Sequence, residues 1–355
     1  MTNKLTSLLS ERGVLLADGA IGTNLFAAGL QTGDAPELWN IEHPERISNL
    51  HRSFVEAGSD IILTNSFGGT HFRLALHNAG DRVAELNTRA AQLARAEADR
   101  VDRPVLVAAS MGPTGEILQP NGPLGIDEAR RAFAQQAEAL AEGGADILWI
   151  ETISAAEEIE AAVLGAASVG LPIVYTVSID TNGRTMMGLT PAETLNISTS
   201  LNTSITAVGC NCGVGASEVV AAICNLVTAA RLLEVRPALV AKANCGIPDY
   251  VDGKIVYSGT PELMAEYAVL AANAGADIIG GCCGTTPAHV RAMRQAIDHW
   301  EPGQPSPDVE TITRVLGELS QGARAQMAGD LSVAGGSASG RGSRGSRRRR
   351  SAQDT

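Results

Sequence analysis

The peptide GGADILWI at residues 143–150 has two near-copies in the chain, AGSDIIL at 57–63 and AGADIIGG at 274–281. In each copy a Gly closes the preceding helix and an Asp leads into a short apolar run. A continuous apolar run of this length is typical of a strand covered on both faces, as in a parallel sheet. The phrase therefore predicts a helix and then a buried parallel strand at three points of the chain.

Eight such runs occur along the chain, at residues 14–20, 60–67, 104–111, 146–152, 172–180, 205–213, 238–246 and 277–281. Segments rich in Ala, Glu and Arg with helical spacing lie between them, at 45–57, 84–98, 127–142, 157–167 and 261–274. Eight consecutive strand–helix units predict a (β/α)8 barrel of the TIM type. An open doubly wound sheet is the competing architecture, but it would not need eight units, and no G-x-G-x-x-G follows the first strand.

The composition fits one large α/β domain. Hydrophobic residues make up 45% of the 355 residues and charged residues 19%, which excludes a wholly disordered chain. No uninterrupted apolar stretch reaches about 18 residues, and the N-terminal apolar run is too short for a secretory signal. We therefore expect a cytoplasmic protein without membrane contact, whose six cysteines are free, metal-binding or catalytic rather than disulfide-bonded.

The net charge of −12 is unevenly distributed. Residues 335–355 hold six Arg and one Asp among Gly and Ser, so the preceding 334 residues carry −17. An acidic body argues against nucleic-acid binding. We predict a barrel domain over residues 1–320 and a Gly/Ser/Arg-rich disordered tail over 321–355, which lacks the apolar residues to fold. An electrostatic tether for an acidic partner or for nucleic acid is the alternative role of the tail.

Functional residues in such barrels lie at the C-terminal ends of the strands. Five of the six cysteines follow a predicted strand in this way, whereas Cys224 lies in a predicted helix. The residues at these ends include Asp18, Gly19, Ala20, Asn65, Glu151, Cys210, Asn211, Cys212, Cys245, Cys282 and Cys283. Structural cysteines scattered at random would not collect at one end of a barrel, so the cysteines are candidates for chemistry.

Cys282 and Cys283 are adjacent and flanked by glycines, so both sulfurs can reach one point. Vicinal cysteines rarely form a relaxed disulfide, and a soft metal is the better use of the pair. A third thiolate from the sixth strand would give three protein ligands and leave one position open, which marks a catalytic zinc site. A redox-labile or merely buried dipeptide is the alternative reading.

The motif GGCCGTTPAHV at 280–290 resembles the zinc signature of the homocysteine S-methyltransferase family. Further motifs follow the family's order over about residues 11–297, namely DGAIGT (18–23), TNSFGGT (64–70), GPTGE (112–116), IET (150–152) and GCNCG (209–213). The resemblance implies a (β/α)8 barrel in which one zinc ion activates the thiol of L-homocysteine to form L-methionine. It implies Cys212, Cys282 and Cys283 as the ligands, with Cys212 rather than Cys210 in the family's G-x-N-C pattern.

The resemblance also implies the groups that bind the amino-acid end of homocysteine. Asp18 and Glu151 would meet the ammonium, and backbone N–H groups around Gly19 and Ala20 would meet the carboxylate. Asn65 and Asn211 are further candidate substrate-binding residues. Cys210 and Cys245 are interpreted as small filler residues of the barrel.

The methyl donor varies within this family. Animal betaine-dependent members carry Tyr at the positions of Gly68 and Thr152, which argues against an aromatic betaine cage here. GPTGEIL (112–118), GRTMMGLTP (183–191) and NCGIP (244–248) resemble the homocysteine module of cobalamin-dependent methionine synthase. We therefore expect methylcobalamin on a separate corrinoid protein as the donor. The alternative is a self-sufficient enzyme that uses betaine, S-methylmethionine or another sulfonium.

Two readings of other classes stay open, as does the oligomeric state, a homo-oligomer included. One is an aldolase or lyase that uses the carboxylates at the barrel mouth. It would need a reactive lysine, and the only strand-borne one is Lys242, which we interpret as a structural or supporting residue. The other is a non-catalytic zinc- or thiol-binding partner protein.

Overall fold

The computed structural model describes residues 3–332 except 181, 247, 252 and 253. Eight parallel strands form one sheet in which the first strand pairs with the last and the others follow in chain order. A parallel bridge between Ala17 and Ile61 joins the two remaining edges. Helices cover the outside, so the predicted (β/α)8 barrel is confirmed.

The strands are β1 (Leu15–Leu16), β2 (Ile61–Leu63), β3 (Leu106–Met111), β4 (Ile147–Ile153), β5 (Ile173–Ser178), β6 (Ile205–Cys212), β7 (Ala238–Ala243), the hairpin strands β8 (Pro248–Val251) and β9 (Lys254–Tyr257), and β10 (Ile278–Gly281). The helices are α1 (Lys4–Arg12), α2 (Gly22–Ala27), α3 (Trp39–Glu42), α4 (Pro44–Glu56), α5 (His71–Ala75), α6 (Val83–Ala98), α7 (Ile126–Glu142), α8 (Ala156–Ala166), α9 (Pro191–Ser200), α10 (Ala216–Ala230), α11 (Pro261–Ala274), α12 (Pro287–Asp298), α13 (Val309–Leu316) and α14 (Gln321–Met327). Short 3-10 turns lie at Pro36–Leu38, Gly80–Arg82 and Ala167–Val169.

The Asp of each repeated phrase links its own strand to the neighbouring strand by a side-chain hydrogen bond. The carboxylates of Asp60, Asp146 and Asp277 accept hydrogen bonds from the backbone N–H groups of β1, β3 and β7, at 2.9, 3.0 and 2.7 Å. Arginine side chains neutralise all three carboxylates. The phrase therefore sets strand register at the N-terminal end of the barrel, which is opposite to the end where this fold has its active sites.

Small aliphatic side chains build the two layers of the core. Alternate strand residues fill the barrel interior, where Trp149 is the largest side chain, while the others pack against the helices. The strands are buried on both faces, as their continuous apolar runs predict. Among the described residues, no helix is both long enough and apolar enough to span a membrane.

The sequence prediction and the structure differ at two places. The tail predicted from residue 321 begins with α14, because Ser320 caps this helix and Ala323 and Gln326 are buried against the domain. The Arg-rich remainder, residues 333–355, lies outside the described residues. The hairpin β8–β9 has no counterpart in the predicted strands. On the outer helix α4, His51 is fully buried, and burial lowers its pKa to about 4.

Candidate metal centre

Three cysteine side chains meet at the C-terminal end of the barrel. The sulfur atoms of Cys212, Cys282 and Cys283 all lie within 4.8 Å of one another, and those of Cys212 and Cys283 are 3.9 Å apart. Zn–S bonds of about 2.3 Å in a tetrahedron would place two sulfurs about 3.8 Å apart. The spacing of these thiols therefore fits a zinc ion, and soft sulfur donors suit that metal.

The backbone around Cys212 is held in an unusual conformation. Cys212 ends β6 with a φ of +58°, a left-handed value that non-glycine residues seldom adopt. The next residue, Gly213, has a φ of +69°, and a Cβ there would lie 2.1 Å from the carbonyl oxygen of Ile179. Only glycine fits this turn, which directs the Cys212 sulfur toward the other two cysteines.

Asn244, after β7, joins the two loops that carry the cysteines. Its Nδ2 donates to the Gly213 carbonyl at 2.7 Å, and its Oδ1 accepts from the Cys283 N–H at 3.0 Å. One side chain thereby fixes the backbone on both sides of the sulfur cluster. Hydrogen bonds of this kind orient metal ligands and affect metal affinity.

Asn211 plays the same part between β6 and β4. Its Oδ1 accepts from the Thr152 N–H at 2.9 Å, and its Nδ2 donates to the Thr152 hydroxyl at 2.7 Å. The same Nδ2 lies 3.8 Å from the Cys282 sulfur. Asn211 is completely buried and connects Thr152, the residue after Glu151, with Cys282.

The three thiols hold their protons tightly when no cation neutralises them. For Cys212, a hydrogen bond with Cys282 lowers the pKa, but the bond with Cys283, burial and charge repulsion outweigh it and bring the pKa to about 12. The pKa of Cys283 is also about 12, since the lowering by its bond with Cys212 is outweighed by the bond with Cys282 and by burial. A cation that binds here must therefore displace protons.

A lysine and two acids lie below the cysteines. The Lys242 ammonium is 3.0 Å from Asp18 Oδ1, and the other Asp18 oxygen accepts from the Leu63 N–H at 2.7 Å. Glu151 accepts a hydrogen bond from the Ser110 hydroxyl. Burial raises the pKa of both carboxyl groups, against the opposing effect of Lys242. The carboxylates raise the pKa of Lys242 although its burial acts in the other direction.

A cavity of about 460 Å³ connects these groups. The predicted residues on its wall are Gly19, Ala20, Asn65, Glu151, Cys212, Cys282 and Cys283. Asp18 and Asn211 lie behind the wall and are completely buried. The structure thus brings all the predicted residues to one place, and Lys242, rather than the predicted Asp18, lies on the cavity wall.

The outer part of the cavity contains a buried acid that the sequence interpretation missed. Glu37 is 4% exposed and accepts a hydrogen bond from the Gly68 N–H at 2.6 Å. A Cβ on Gly68 would lie 3.0 Å from Glu37 Oε1. Burial raises the pKa of Glu37, while its hydrogen bonds and the nearby Arg73 and His77 lower it. Phe26 and Phe67 line the same cavity.

Two other cysteines at the strand ends, Cys210 and Cys245, do not take part in the cluster. The Cys210 thiol lies 3.8 Å from the Val219 carbonyl, and the Cys245 thiol lies 3.1 Å from the Gly259 carbonyl. Both side chains are buried in the shell between strands and helices. Their surroundings agree with their interpretation as filler residues.

The sequence matches one family model and curated proteins from two organisms. The family model described as homocysteine S-methyltransferase matches residues 15–297. Methionine synthase of Mycobacterium tuberculosis (strain ATCC 25618 / H37Rv) is 32% identical over 310 residues, which cover 82% of this chain and 25% of that protein. Methionine synthase of Mycobacterium leprae (strain TN) is 31% identical with the same coverage. The chain therefore spans about a quarter of the length of these relatives.

Solved structures match over the whole barrel. The metallated form of homocysteine methyltransferase MmuM from Escherichia coli has a TM-score of 0.68 and 27% identity, covering 82% of this chain and 99% of that one. A methyltransferase from Methanosarcina mazei has a TM-score of 0.51 and 14% identity, covering 82% of this chain and 97% of that one. The second match shows a shared fold alone.

Proposed function

The chain belongs to the homocysteine S-methyltransferase family, and on that premise we propose that it is a zinc-dependent enzyme that methylates the thiol of L-homocysteine to L-methionine. The observation that carries the proposal is the cluster of Cys212, Cys282 and Cys283 on the wall of a cavity that also contains a buried acid and a lysine. The three cysteines would hold one zinc ion. Zinc bound by thiolates lowers the pKa of a substrate thiol and so supplies a nucleophilic thiolate at neutral pH.

The residues of the chain orient the substrate and keep water out. Glu151 is the acid on the cavity wall, and it would bind the substrate ammonium. The Ala20 N–H already donates to the Thr285 carbonyl at 3.1 Å, so of these two backbone donors the Gly19 N–H is the one left for the substrate carboxylate, where a residue without a side chain allows close approach. Asn65 contributes less directly, since its Nδ2 already donates to the Pro36 carbonyl at 2.7 Å and to Asn40. Fixing both reactants in one geometry supplies much of the rate in a direct methyl transfer.

The sequence motifs predict methylcobalamin as the methyl donor. The part of the cavity around Glu37 instead favours a small cation that carries the methyl group, such as a quaternary ammonium or a sulfonium. Glu37 lies over Gly68, the place where the betaine-dependent animal members have an aromatic ring. A buried carboxylate beside Phe67 offers a cation both charge and an aromatic face. The match over 99% of the length of MmuM, described as a homocysteine methyltransferase, supports an enzyme of barrel size.

A corrinoid protein that presents methylcobalamin is the second candidate donor. The similarity to methionine synthase over a quarter of its length supports it, because the chain would then act as the homocysteine part of a split enzyme. The Arg-rich residues 335–355 would assist the docking of such a protein. Deleting them should then weaken transfer from the corrinoid protein and leave transfer from small donors unchanged.

A donor screen tests the proposal. Purified, reduced and zinc-loaded protein is incubated with homocysteine and, separately, with betaine, S-methylmethionine, dimethylsulfoniopropionate or methylcobalamin, and methionine is measured. Turnover with an onium donor supports the cationic donor, and turnover with methylcobalamin alone supports the corrinoid partner. No methionine from any donor, with zinc bound, would favour a non-catalytic thiol-binding protein.

The variant E37Q separates the donor site from the homocysteine site. Loss of the buried charge should raise the KM for a cationic donor about tenfold and leave the KM for homocysteine unchanged. E85Q, an exposed acid on α6, is the matched control. Equal donor KM values for E37Q and E85Q would remove Glu37 from the donor site.

A further inference from the structure

Lys242 is a buried lysine on the cavity wall, and a buried positive charge requires an explanation. Its side chain is 2% exposed and its ammonium lies 5.7 Å from the centre of the Trp149 ring, at the top of the apolar barrel interior. Gly280 faces it on β10, and a Cβ there would lie 3.1 Å from Lys242 Cγ. The neighbouring strand is therefore shaped to let this lysine enter the barrel.

Asp18 uses only part of the hydrogen-bonding capacity of Lys242. An ammonium has three donors, and among the hydrogen bonds of the described residues Lys242 uses one, to Asp18. Asp18 itself is completely buried behind the wall, and its two oxygens accept from Lys242 and from the Leu63 N–H. A buried ammonium with unused donors beside a cavity is poised for an anionic group of a ligand.

The position of Lys242 also fits the length of the substrate. Lys242 pairs with Gly280 across β7 and β10, and Cys282 follows Gly280 by two residues. Two residues of strand span about 6.6 Å, which is comparable to the extended length of a homocysteine molecule. A ligand whose sulfur lies at the cysteines can therefore extend down the wall as far as Lys242 and Glu151.

We propose that Lys242 binds the α-carboxylate of homocysteine while Glu151 binds its ammonium, so that the cavity recognises the amino acid as a zwitterion. This inference rests on the proposed function, because it names the contacts of the same substrate. It changes the role of Asp18 from a substrate ligand to a positioning residue that holds Lys242. Among these three groups, Lys242 and Glu151 are the ones on the cavity wall.

Ligands without a thiol test the proposal independently of zinc and of the donor. Calorimetry would measure the binding of L-methionine, of 3-(methylthio)propylamine, which lacks the carboxylate, and of 4-(methylthio)butanoate, which lacks the ammonium. The wild-type protein should bind methionine at least tenfold more tightly than either analogue, since each contact is a charge-assisted hydrogen bond. K242M should lose the preference over the amine and keep the preference over the acid, and E151Q should do the reverse.

Two controls keep the result interpretable. The double variant D18N/K242M removes both buried charges, so its binding pattern should match that of K242M if an unpaired Asp18 is not the cause. K242R, which retains the charge, should restore part of the preference for the carboxylate. A K242M protein that still prefers methionine over the amine would make Lys242 a counter-ion of Asp18 only.

Failure of the proposed enzyme activity would give a different result from failure of the Lys242 proposal. A wild-type protein that discriminates the ligands through Lys242 yet makes no methionine from any donor would retain this inference and refute the enzyme activity. If K242M does not fold, a wild-type protein that binds methionine and the amine equally well would overturn the inference by itself. In the active enzyme, K242M should raise the KM for homocysteine far more than it lowers kcat.

Discussion

The side chain of Asn244 provides a sharp test of how the proposed metal site is assembled. Asn244 is not one of the proposed ligands, yet it donates to the Gly213 carbonyl at 2.7 Å and accepts from the Cys283 N–H at 3.0 Å. N244A removes both bonds and leaves one acceptor and one donor unpaired at a site that is largely shielded from water. At about 1 kcal/mol for each bond, the variant should lose about 2 kcal/mol of unfolding free energy.

The larger effect should be on metal affinity. Removing a group that orients metal ligands usually lowers affinity 10- to 100-fold, and Asn244 orients the backbone at two of the three cysteines. Competition with a chromophoric chelator would measure the zinc affinity of the wild-type and variant proteins at fixed pH. Urea unfolding of the metal-free proteins would measure the stability change separately.

N225A is the matched control for this experiment. Asn225 lies on the outer helix α10, and its Nδ2 donates to Gln326 Oε1 at 3.1 Å, far from the cysteines. This variant should lose a similar bond without changing zinc affinity. If N244A binds zinc within twofold of the wild-type protein, the loops are held by other contacts and the reasoning fails.

Three further predictions concern the ligands, the pH dependence and the fold. C282A and C283A should each bind less than a tenth of an equivalent of zinc by elemental analysis with an unchanged far-UV spectrum; full zinc content in both would contradict the ligand assignment. Because the pKa values of Cys212 and Cys283 are about 12, each thiol releases a proton on binding, so zinc affinity should rise steeply from pH 6 to pH 8 with measurable proton release; a flat profile would contradict thiol ligation. D146N should lose about 2 kcal/mol in urea unfolding at neutral pH, because Arg95 and the Val107 N–H lose a charged acceptor, while zinc affinity stays unchanged.

Much of the fold can be predicted from the sequence because burial on both faces leaves a direct signature. Each barrel strand coincides with one of the eight apolar runs, with β4 extending one residue past its run, and the repeated Gly and Asp of the 143–150 phrase mark helix ends and strand starts. The hairpin β8–β9 gives no such signature, since it is short and joins no larger sheet. Helix α14 follows an irregular segment and is held by its cap and by contacts with α10, which local pattern does not reveal.

In the candidate site, too, local sequence pattern reveals some residues, whereas others depend on contacts between distant parts of the chain. The cysteines could be predicted because their positions after strands place them at one end of a barrel. The pairing of Lys242 with Asp18 could not be predicted, since the two residues are 224 apart in the chain and only the closed barrel brings them together. Glu37 lies in a 3-10 turn without periodic spacing, and its burial depends on the turn at Gly68. Such residues become evident only when side chains from distant elements share one cavity.

The acidic residues illustrate why position along a strand matters more than residue type. Asp60, Asp146 and Asp277 precede their strands, bond the backbone of the neighbouring strand and are neutralised by arginines, so they stabilise the barrel. Asp18 and Glu151 lie at the opposite ends of strands, where burial raises their pKa and a buried lysine is their cationic neighbour. The first arrangement is complete without a ligand, because each carboxylate has its cation and its amide. The second leaves Glu151 and Lys242 on an open cavity wall with bonding capacity unused, and a zwitterionic ligand supplies the two charges that complete it.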